Sequence, residues 1–190
     1  MEEIYFKGGY LCPTGKKFRD KVSETVSLEK KDRVIAEKVF RWVRDNYCWD
    51  MNKIKGSEKL LENNSIFATS MDKSNLLVSL LRSVGIGCRF KLIETVFYNE
   101  YKDRYDDSIH APVEVYLDGE WVVADPCFGK HTEGFKEVSA FGEPTWEEIK
   151  SEKVLSELSR YFVFLYNYFF RFAHPTVRKI RKEIREVREV

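Results

Sequence analysis

Three side chains in this sequence have the types needed for nucleophilic catalysis: a serine, a histidine and an aspartate. Ser70 lies in "SIFATSMDKS", immediately before the apolar run "NLLVSLL", where a helix is expected to begin. His110 and Asp125 stand at the two ends of "HAPVEVYLDGEWVVAD". A carboxylate that accepts a proton from an imidazole fixes its tautomer, and the ring can then act as a general base toward a hydroxyl. The three residues therefore predict an acyl-transfer site if the fold brings them together.

The segment between His110 and Asp125 predicts a β-hairpin. Two β-rich runs flank the Asp-Gly pair at 118–119, which is favoured in two-residue turns. If Leu117 pairs with Glu120, Asp125 becomes a diagonal neighbour of His110 on one face, about 7–8 Å away between backbones. We expect Asp125 to accept the Nδ1 proton of His110, which leaves Nε2 as the base. The alternative interpretation is a surface histidine near an aspartate that ends a strand.

Two helices are predicted to position these residues. A first helix is expected to follow Ser27, a candidate N-cap, because apolar residues recur at helical spacing. These residues are Ala36, Val39, Phe40, Val43 and Tyr47. A second helix is expected to begin at Ser70 and to stop at Gly85, with a broad apolar stripe typical of a central helix. The stripe consists of Leu76, Leu77, Leu80, Leu81 and Val84, and a strand, "CRFKLIETVF", is predicted after it.

These segments resemble the core of the transglutaminase-like superfamily, whose members share a papain-like α+β architecture. The resemblance rests on "DKSNLLVSLLRSVGIGCRF" and "HAPVEVYLDGEWVVADPCFG", and it spans roughly residues 30–130. In that family a cysteine opens the central helix twelve residues before the arginine of an "LLR..GI..R" motif. Arg82 matches that arginine, and counting back twelve residues gives Ser70. His110 and Asp125 match the family's histidine and aspartate.

The resemblance implies an α+β core, assigned to residues 1–150, with a central helix packed on an antiparallel sheet. Residues 151–190 lie outside the resemblance and are predicted from their own pattern to form a helical C-terminal extension. It implies acyl transfer or hydrolysis at a peptide or protein amide, through a covalent acyl intermediate and without a metal or organic cofactor. Residue 70 would be the nucleophile, His110 the base and then the acid, and Asp125 the orienting group. Main-chain N–H groups at the helix start would serve as oxyanion donors.

Serine at the family's cysteine position changes the chemistry. A thiol at a helix N-terminus beside an imidazole has a lowered pKa, whereas a hydroxyl attacks only if His110 removes its proton. One alternative is that Ser70 only caps the helix, in an inactive member that binds peptides or proteins or serves in assembly. Others are a serine that replaces a natural cysteine, or a thiol from elsewhere. Cys127 falls opposite His110 in the hairpin register, although Pro126 is expected to bend the strand first.

The remaining cysteines and histidines show no spacing typical of a metal site, so no structural zinc site is expected. No C-x-x-C pair occurs, and the histidines are scattered. Structural or solvated roles are expected for these residues: Cys12, Cys48, Cys88, His131 and His174. Asp72, in the first turn of the second helix, is expected to complement the helix dipole.

Composition predicts one domain of a soluble, cytoplasmic protein. The chain has 190 residues, of which 43% are hydrophobic, enough for one core. With 32 basic and 31 acidic residues, it has no global field to attract nucleic acid or an anionic membrane. We see no secretory signal, and the apolar run at 161–170 is too short to span a bilayer. A charged fraction of 33% without glutamine favours a thermophilic source.

The C-terminal forty residues predict helices. Aromatic residues lie on most faces of the segment 156–174, so this segment should be covered by the core or by a partner. The following segment carries a short heptad-like seam. Its members are Val177, Ile180, Ile184 and Val187. These helices either pack onto their own domain or form a homo-oligomer.

Overall fold

The computed structural model describes most of the chain up to Leu158, where its compact unit ends. The described residues are 2–49, 54–62, 67–99, 104–129, 139–146 and 148–158. His131, His174 and the predicted helices beyond residue 158 lie outside them. Within these ranges no helix combines the length and apolarity needed to cross a membrane.

Helices occupy most of the first half of the chain. They are a 3₁₀ helix at Glu3–Phe6, then α1 (Lys16–Val26), α2 (Asp32–Asn46), α3 (Ser57–Glu62) and α4 (Ser70–Ser83). Helix α1 was not expected from the sequence, because its buried face consists only of Phe18, Val22 and Val26. This narrow stripe is enough to pack α1 against α2 and α4.

Helix α2 has the predicted face but not the predicted start. Ser27 follows α1 with a φ of 59°, and Lys31 is the N-cap of α2. Between them the Glu29 carboxylate accepts the N–H groups of residues 30 and 31, so this segment forms a turn. The apolar face is buried as predicted. Its members are Ala36, Val39, Phe40, Val43 and, just beyond the helix, Tyr47.

Helix α4 is the central helix that the sequence predicts. Its leucines at 76, 77, 80 and 81 are at most 1% exposed. The helix stops at the predicted glycine, since Gly85 has a φ of +84° and its N–H donates to the Arg82 carbonyl. The next N–H, of Ile86, donates to the Leu81 carbonyl. These bonds satisfy carbonyl groups that a helix end leaves unpaired.

The described residues contain seven strands, which form two sheets. The strands are β1 (Cys48–Trp49), β2 (Phe67–Ala68), β3 (Cys88–Asn99), β4 (Arg104–His110), β5 (Val113–Leu117), β6 (Glu120–Ala124) and β7 (Glu148–Leu155). The first two form a small parallel pair. In the antiparallel sheet, β4 and β5 pair with successive segments of β3 in a single register. Strand β7 also pairs with β3, and β6 pairs with β5.

The hairpin of β5 and β6 has the predicted register. Leu117 pairs with Glu120, and the valines of the apolar face pair across the strands. Asp118 and Gly119 have positive φ values of 55° and 95°, as the turn type favoured in two-residue hairpins requires. His110, however, ends β4 and pairs with Ile93 of β3. Residues 111–112, which include a proline without an N–H, separate it from β5.

Besides the short pair β1 and β2, two strands of the antiparallel sheet were missed in the sequence. Strand β4 lies in the polar stretch that was expected only to connect β3 to His110, and its sequence "RYDDSIH" has no apolar alternation. Strand β7 includes residues 151–155, which were assigned to the helical extension. Both pair with β3, so long-range pairing determines them rather than a local pattern. The helical prediction for the extension now concerns only residues outside the described ranges.

The α+β prediction is confirmed, because α4 contacts helices α1 to α3 as well as strands β3 and β5 of the antiparallel sheet. This arrangement places the N-terminus of α4 where the ends of β4 and β6 meet.

Candidate active site

Thr69, not Ser70, caps α4. The Thr69 hydroxyl accepts the Asp72 N–H at 3.0 Å, and the Asp72 carboxylate accepts the Thr69 N–H at 3.4 Å, which together form a capping box. Ser70 is the first residue inside the helix. The interpretation of Ser70 as the cap is therefore wrong, because the threonine before it supplies that oxygen.

Asp72 also holds the loop that precedes the site. Its Oδ1 atom accepts the N–H groups of Lys55 at 2.7 Å and Gly56 at 2.9 Å. Burial raises the pKa of Asp72, and these hydrogen bonds offset burial only in part. Asp72 thus joins the helix start to the end of the loop at 54–56, a wider role than complementing the helix dipole.

Ser70 is the accessible residue at the start of α4. It is half-buried, whereas the residues that follow it in the helix are buried. Its hydroxyl lies close enough to the Cys127 thiol to lower the pKa of that thiol. The first turn of a helix carries partial positive charge and N–H groups without intrahelical partners. Ser70 therefore has both solvent access and nearby groups suited to an oxyanion.

His110 and Asp125 form a buried pair. Nε2 of His110 lies 2.6 Å from Oδ2 of Asp125, and the two residues are 2% and 0% exposed. The carboxylate also accepts hydrogen bonds from the Cys127 N–H, at 3.2 Å, and from the Thr145 hydroxyl. Burial raises the pKa of Asp125, but the imidazole and these hydrogen bonds outweigh burial, so the pKa is lowered. The carboxylate is therefore ionised and fixed in place.

The ring of His110 is turned the other way from the prediction. We expected Nδ1 to face Asp125, but the contact uses Nε2. Nε2 is the ring nitrogen farther from the backbone, so it is the one that spans a diagonal separation of about 7–8 Å between strands.

The Cys127 thiol belongs to the same cluster. Its sulfur lies within 4.8 Å of donor atoms of both His110 and Asp125, so the chain does not bend it away at Pro126. Burial and the Asp125 carboxylate raise the pKa of Cys127 well above its ordinary value, and Lys73 and Ser70 lower it only in part. Because its pKa is raised, the buried Cys127 thiol forms little thiolate and is a poor nucleophile.

The other three cysteines have surroundings typical of structural residues. Cys12 and Cys88 are buried, and burial raises the pKa of both thiols, that of Cys88 to about 12. Cys48 is half-buried in β1, and all four cysteines are free. Thiols with raised pKa values form little thiolate, so Cys12 and Cys88 are poor nucleophiles.

Lys73 completes the cluster from one helical turn beyond Ser70. It is 0% exposed, and its Nζ donates to the carbonyl oxygens of Arg44 at 3.2 Å and Cys127 at 3.0 Å. Burial lowers the pKa of Lys73, and nearby thiols and carboxylates raise it only in part. A buried amine therefore lies near the Asp125 carboxylate and the Cys127 thiol.

Known proteins share this arrangement of helix and sheet. The sequence profile of the transglutaminase-like superfamily matches residues 19–126, more than half of the chain. The chain belongs to this superfamily. Among solved structures it resembles a candidate cysteine protease from Cytophaga hutchinsonii, with a TM-score of 0.51 and 15% identity. The likeness covers 64% of this chain and 40% of that protein, and at this identity it shows the fold alone. No curated protein matches the sequence.

The transglutaminase-like chain brings His110 and Asp125 into contact, as expected from the sequence. Ser70 lies close to the Cys127 thiol, which is beside that pair. Two further members were missed. Lys73 could have been found from its spacing three residues after Ser70, which puts both on one helix face. Thr145 gives no signal in the sequence, because a loop brings it back to Asp125 across the fold.

His110, Asp125 and Cys127 are also residue types found in transition-metal sites. We interpret them here as a proton-transfer cluster instead. The imidazole and the carboxylate are bonded to each other, and Asp125 is further occupied by the Thr145 hydroxyl and a main-chain N–H.

Proposed function

We propose that this protein hydrolyses a peptide or protein amide or transfers its acyl group. Ser70 is the nucleophile in this proposal, His110 carries protons and Asp125 orients the imidazole. The observation that supports it most is the buried contact of 2.6 Å between Nε2 of His110 and Oδ2 of Asp125, close to the start of α4. An ionised carboxylate that holds an imidazole beside a nucleophile is the arrangement that hydrolases of several folds use.

The reaction begins with attack of the Ser70 oxygen on the amide carbonyl carbon. As the C–O bond forms, the hydroxyl proton passes to a base and the carbonyl oxygen becomes an oxyanion, which N–H groups at the start of α4 stabilise. Collapse breaks the C–N bond, and the leaving amine takes a proton from His110. Water in a hydrolase, or an amine in a transferase, then attacks the acyl ester and restores Ser70.

A peptide amide is the substrate class that the relatives favour. The superfamily's chemistry acts at amide carbonyls, and the solved structure that this chain resembles bears the description of a candidate cysteine protease. Because this chain covers only 40% of that protein, its specificity has to be determined on this chain itself.

Covalent labelling tests the nucleophile. We would treat the protein with a small fluorophosphonate, which phosphonylates activated serines, and locate the adduct by peptide mass spectrometry. We expect modification at Ser70 and its loss in Ser70→Ala. Ser23→Ala, which removes an exposed hydroxyl on α1, is the matched control and should label like the unaltered protein. A folded protein whose Ser70 is never modified would contradict the proposal and favour the non-catalytic peptide-binding alternative.

A second experiment tests the frame around residue 70 independently of the serine. In Ser70→Cys, a thiol at a helix N-terminus close to His110 should react with iodoacetamide at mildly acidic pH far faster than the four native thiols. Adding His110→Ala should remove that advantage. If Ser70→Cys reacts only as an ordinary thiol does, His110 does not act on residue 70.

A further inference from the structure

Lys73 has a setting unusual for a lysine. Its side chain is fully buried on α4, and both hydrogen bonds found for its amine go to main-chain carbonyl oxygens, those of Arg44 and Cys127. An ammonium group has three N–H donors, whereas a neutral amine has two and keeps a lone pair. Two carbonyl acceptors therefore match the donors of the neutral amine, and a third proton would need a further buried acceptor.

The ionisable groups around Lys73 do not outweigh the preference of this site for a neutral amine. They come from three elements packed around the lysine and are Asp45 of α2, Cys48 of β1, and Asp125 and Cys127 after β6. The Asp45 carboxylate is already bonded to the Arg44 guanidinium, at 2.7 and 2.8 Å. The Asp125 carboxylate is bonded to His110, and both thiols are neutral in their ordinary form. The cost of burying the ammonium therefore dominates, and the pKa of Lys73 is lowered.

The amine is also close to the proposed nucleophile. Residues three apart on a helix lie on one face, with Cβ atoms about 5–6 Å apart, so Lys73 is directly below Ser70 on α4. Both side chains also lie near Cys127, because the Ser70 hydroxyl is close enough to lower the pKa of its thiol and the Lys73 amine donates to its carbonyl oxygen. The lysine stem is flexible enough for its amine to move between the carbonyl and the hydroxyl.

We propose that Lys73 is a second proton-transfer residue of this site and that its neutral amine takes the proton of the Ser70 hydroxyl. This inference rests on the proposed function and refines its first step, because the proton goes to Lys73 while His110 serves the leaving amine. Ser-Lys pairs act as nucleophile and base in hydrolases of unrelated folds, including enzymes with the spacing Ser-x-x-Lys. A serine hydroxyl needs a stronger base than a thiol does, and an amine is a stronger base than an imidazole.

The step balances as follows. The Ser70 Oγ–H bond breaks, its proton goes to Nζ of Lys73, and the oxygen electron pair forms the bond to the carbonyl carbon. The carbonyl π electrons move to oxygen, then return as the C–N bond breaks with a proton from His110. In deacylation a water molecule gives one proton to His110, its oxygen bonds to the acyl carbon, and Lys73 returns its proton to Ser70 as the ester breaks. Overall, amide and water become acid and amine.

The choice of substrate separates the role of Lys73 as the base from the role of His110 as the acid. p-Nitrophenyl acetate has a leaving group that needs no protonation, so its acylation of Ser70, followed by intact mass, depends on the base alone. We expect Lys73→Met and Lys73→Arg to slow acylation by about 100-fold or more. Lys73→Arg tests the proton directly, because arginine keeps the positive charge and donors but does not deprotonate. His110→Ala should lose less than about tenfold, and Lys91→Met, a half-buried lysine of β3, should be unchanged.

A pH series requires no change at Lys73 and keeps the proposal testable if the lysine variants do not fold. In His110→Ala, acylation should still rise with pH, because Lys73 becomes the neutral base as its proton is lost. A pH-independent rate in that variant, or loss of acylation in His110→Ala but not in Lys73→Arg, would assign the base to His110 and overturn the inference. If the unaltered protein is not acylated at Ser70 at all, the proposed function fails as well. This outcome differs from the failure of the Lys73 inference alone, in which Ser70 is still acylated.

Discussion

The two ends of helix α4 each carry a buried basic side chain, and the two are held differently. Near the C-terminal end, the Arg82 guanidinium donates to three main-chain carbonyl oxygens at 2.6 to 2.7 Å. These belong to Lys7, Cys88 and Ser156. Near the N-terminal end, the Lys73 amine donates to two carbonyl oxygens at 3.0 and 3.2 Å. The arginine therefore makes more and shorter bonds than the lysine.

The difference shows how one helix separates stability from chemistry. A guanidinium stays charged and presents a rigid set of donors, so Arg82 can only bind, and it ties the N-terminal segment, β3 and the end of β7 to α4. An amine in a buried site can lose its proton, so Lys73 can take part in proton transfer. We therefore expect substitutions at the Arg82 end to change folding and those at the Lys73 end to change reactivity.

Removing Arg82 should have the largest effect on stability. Arg82→Ala leaves three main-chain carbonyl groups without their charged donor, so we expect a loss of about 3–5 kcal/mol in the free energy of unfolding. Urea denaturation measures it. Arg33→Ala is the matched control, since Arg33 is partly exposed and pairs with the exposed Asp118 carboxylate. That variant should lose about 1 kcal/mol or less. Equal losses would mean that Arg82 is not a structural clamp.

Removing the Asp72 carboxylate should have the next largest effect, because it breaks the cap and the loop together. Asp72→Ala loses the bonds to Thr69, Lys55 and Gly56, and we expect a cost of about 2 kcal/mol. Asp32→Ala, in the exposed first turn of α2, removes only a charge near a helix dipole. It should cost about 0.5 kcal/mol. If thermal unfolding shows the same shift for both, the loop contacts contribute nothing.

Gly85 should give a smaller effect that is confined to the C-terminal end of α4. A Cβ at Gly85 would meet nothing within 4 Å, so only its φ of +84° opposes a side chain. We expect Gly85→Ala to lose about 1 kcal/mol of stability and to leave labelling of Ser70 unchanged. Gly85→Asn should lose less, since asparagine tolerates this conformation better. An asparagine variant as unstable as the alanine variant would argue against backbone strain as the cause.

The sequence predicts the parts of the fold that local patterns determine. The apolar stripe of α4, the stop at Gly85 and the turn at 118–119 each follow from residue types a few positions apart, and the register of β5 and β6 follows from that turn. The same register placed Asp125 diagonally from His110, and the two side chains are in contact. These elements were predictable because the apolar spacing and the stop and turn residues all favour the same structure.

Long-range contacts explain what the sequence did not predict. Strand β4 has a polar sequence and exists because β3 offers it a partner, and Thr145 reaches Asp125 only through the fold. The cap of α4 was assigned one residue late, because serine and threonine at positions 70 and 69 are equally good caps by type. Only the capping box with Asp72 decides between them. Lys73 was overlooked because a lysine in a helix is ordinarily solvated.

Replacing Lys73 should change stability least, but in a way that depends on pH. The folded state lowers the pKa of Lys73 below its ordinary value of 10.5. The Lys73 amine therefore contributes most to stability above pH 10.5, and this contribution is lost as the pH falls through the lowered pKa of the folded state. Lys73→Met has no such dependence, so its stability relative to the unaltered protein should improve as pH is lowered through this window. At neutral pH we expect a difference of less than about 1 kcal/mol, because the relieved burial of charge is offset by two unpaired carbonyl groups.

Urea denaturation of both proteins from neutral pH to about 10.5 measures this difference directly, and Lys91→Met provides the control for losing a lysine that reaches the surface. Free-energy curves for Lys73→Met and the unaltered protein that stay parallel across the series would mean that Lys73 titrates as an ordinary lysine. It would then be a second structural cation like Arg82, and the division of α4 into a stable end and a reactive end would be wrong. Curves that diverge only for Lys73→Met would show that the N-terminal end of the helix holds an amine whose pKa lies below that of an ordinary lysine.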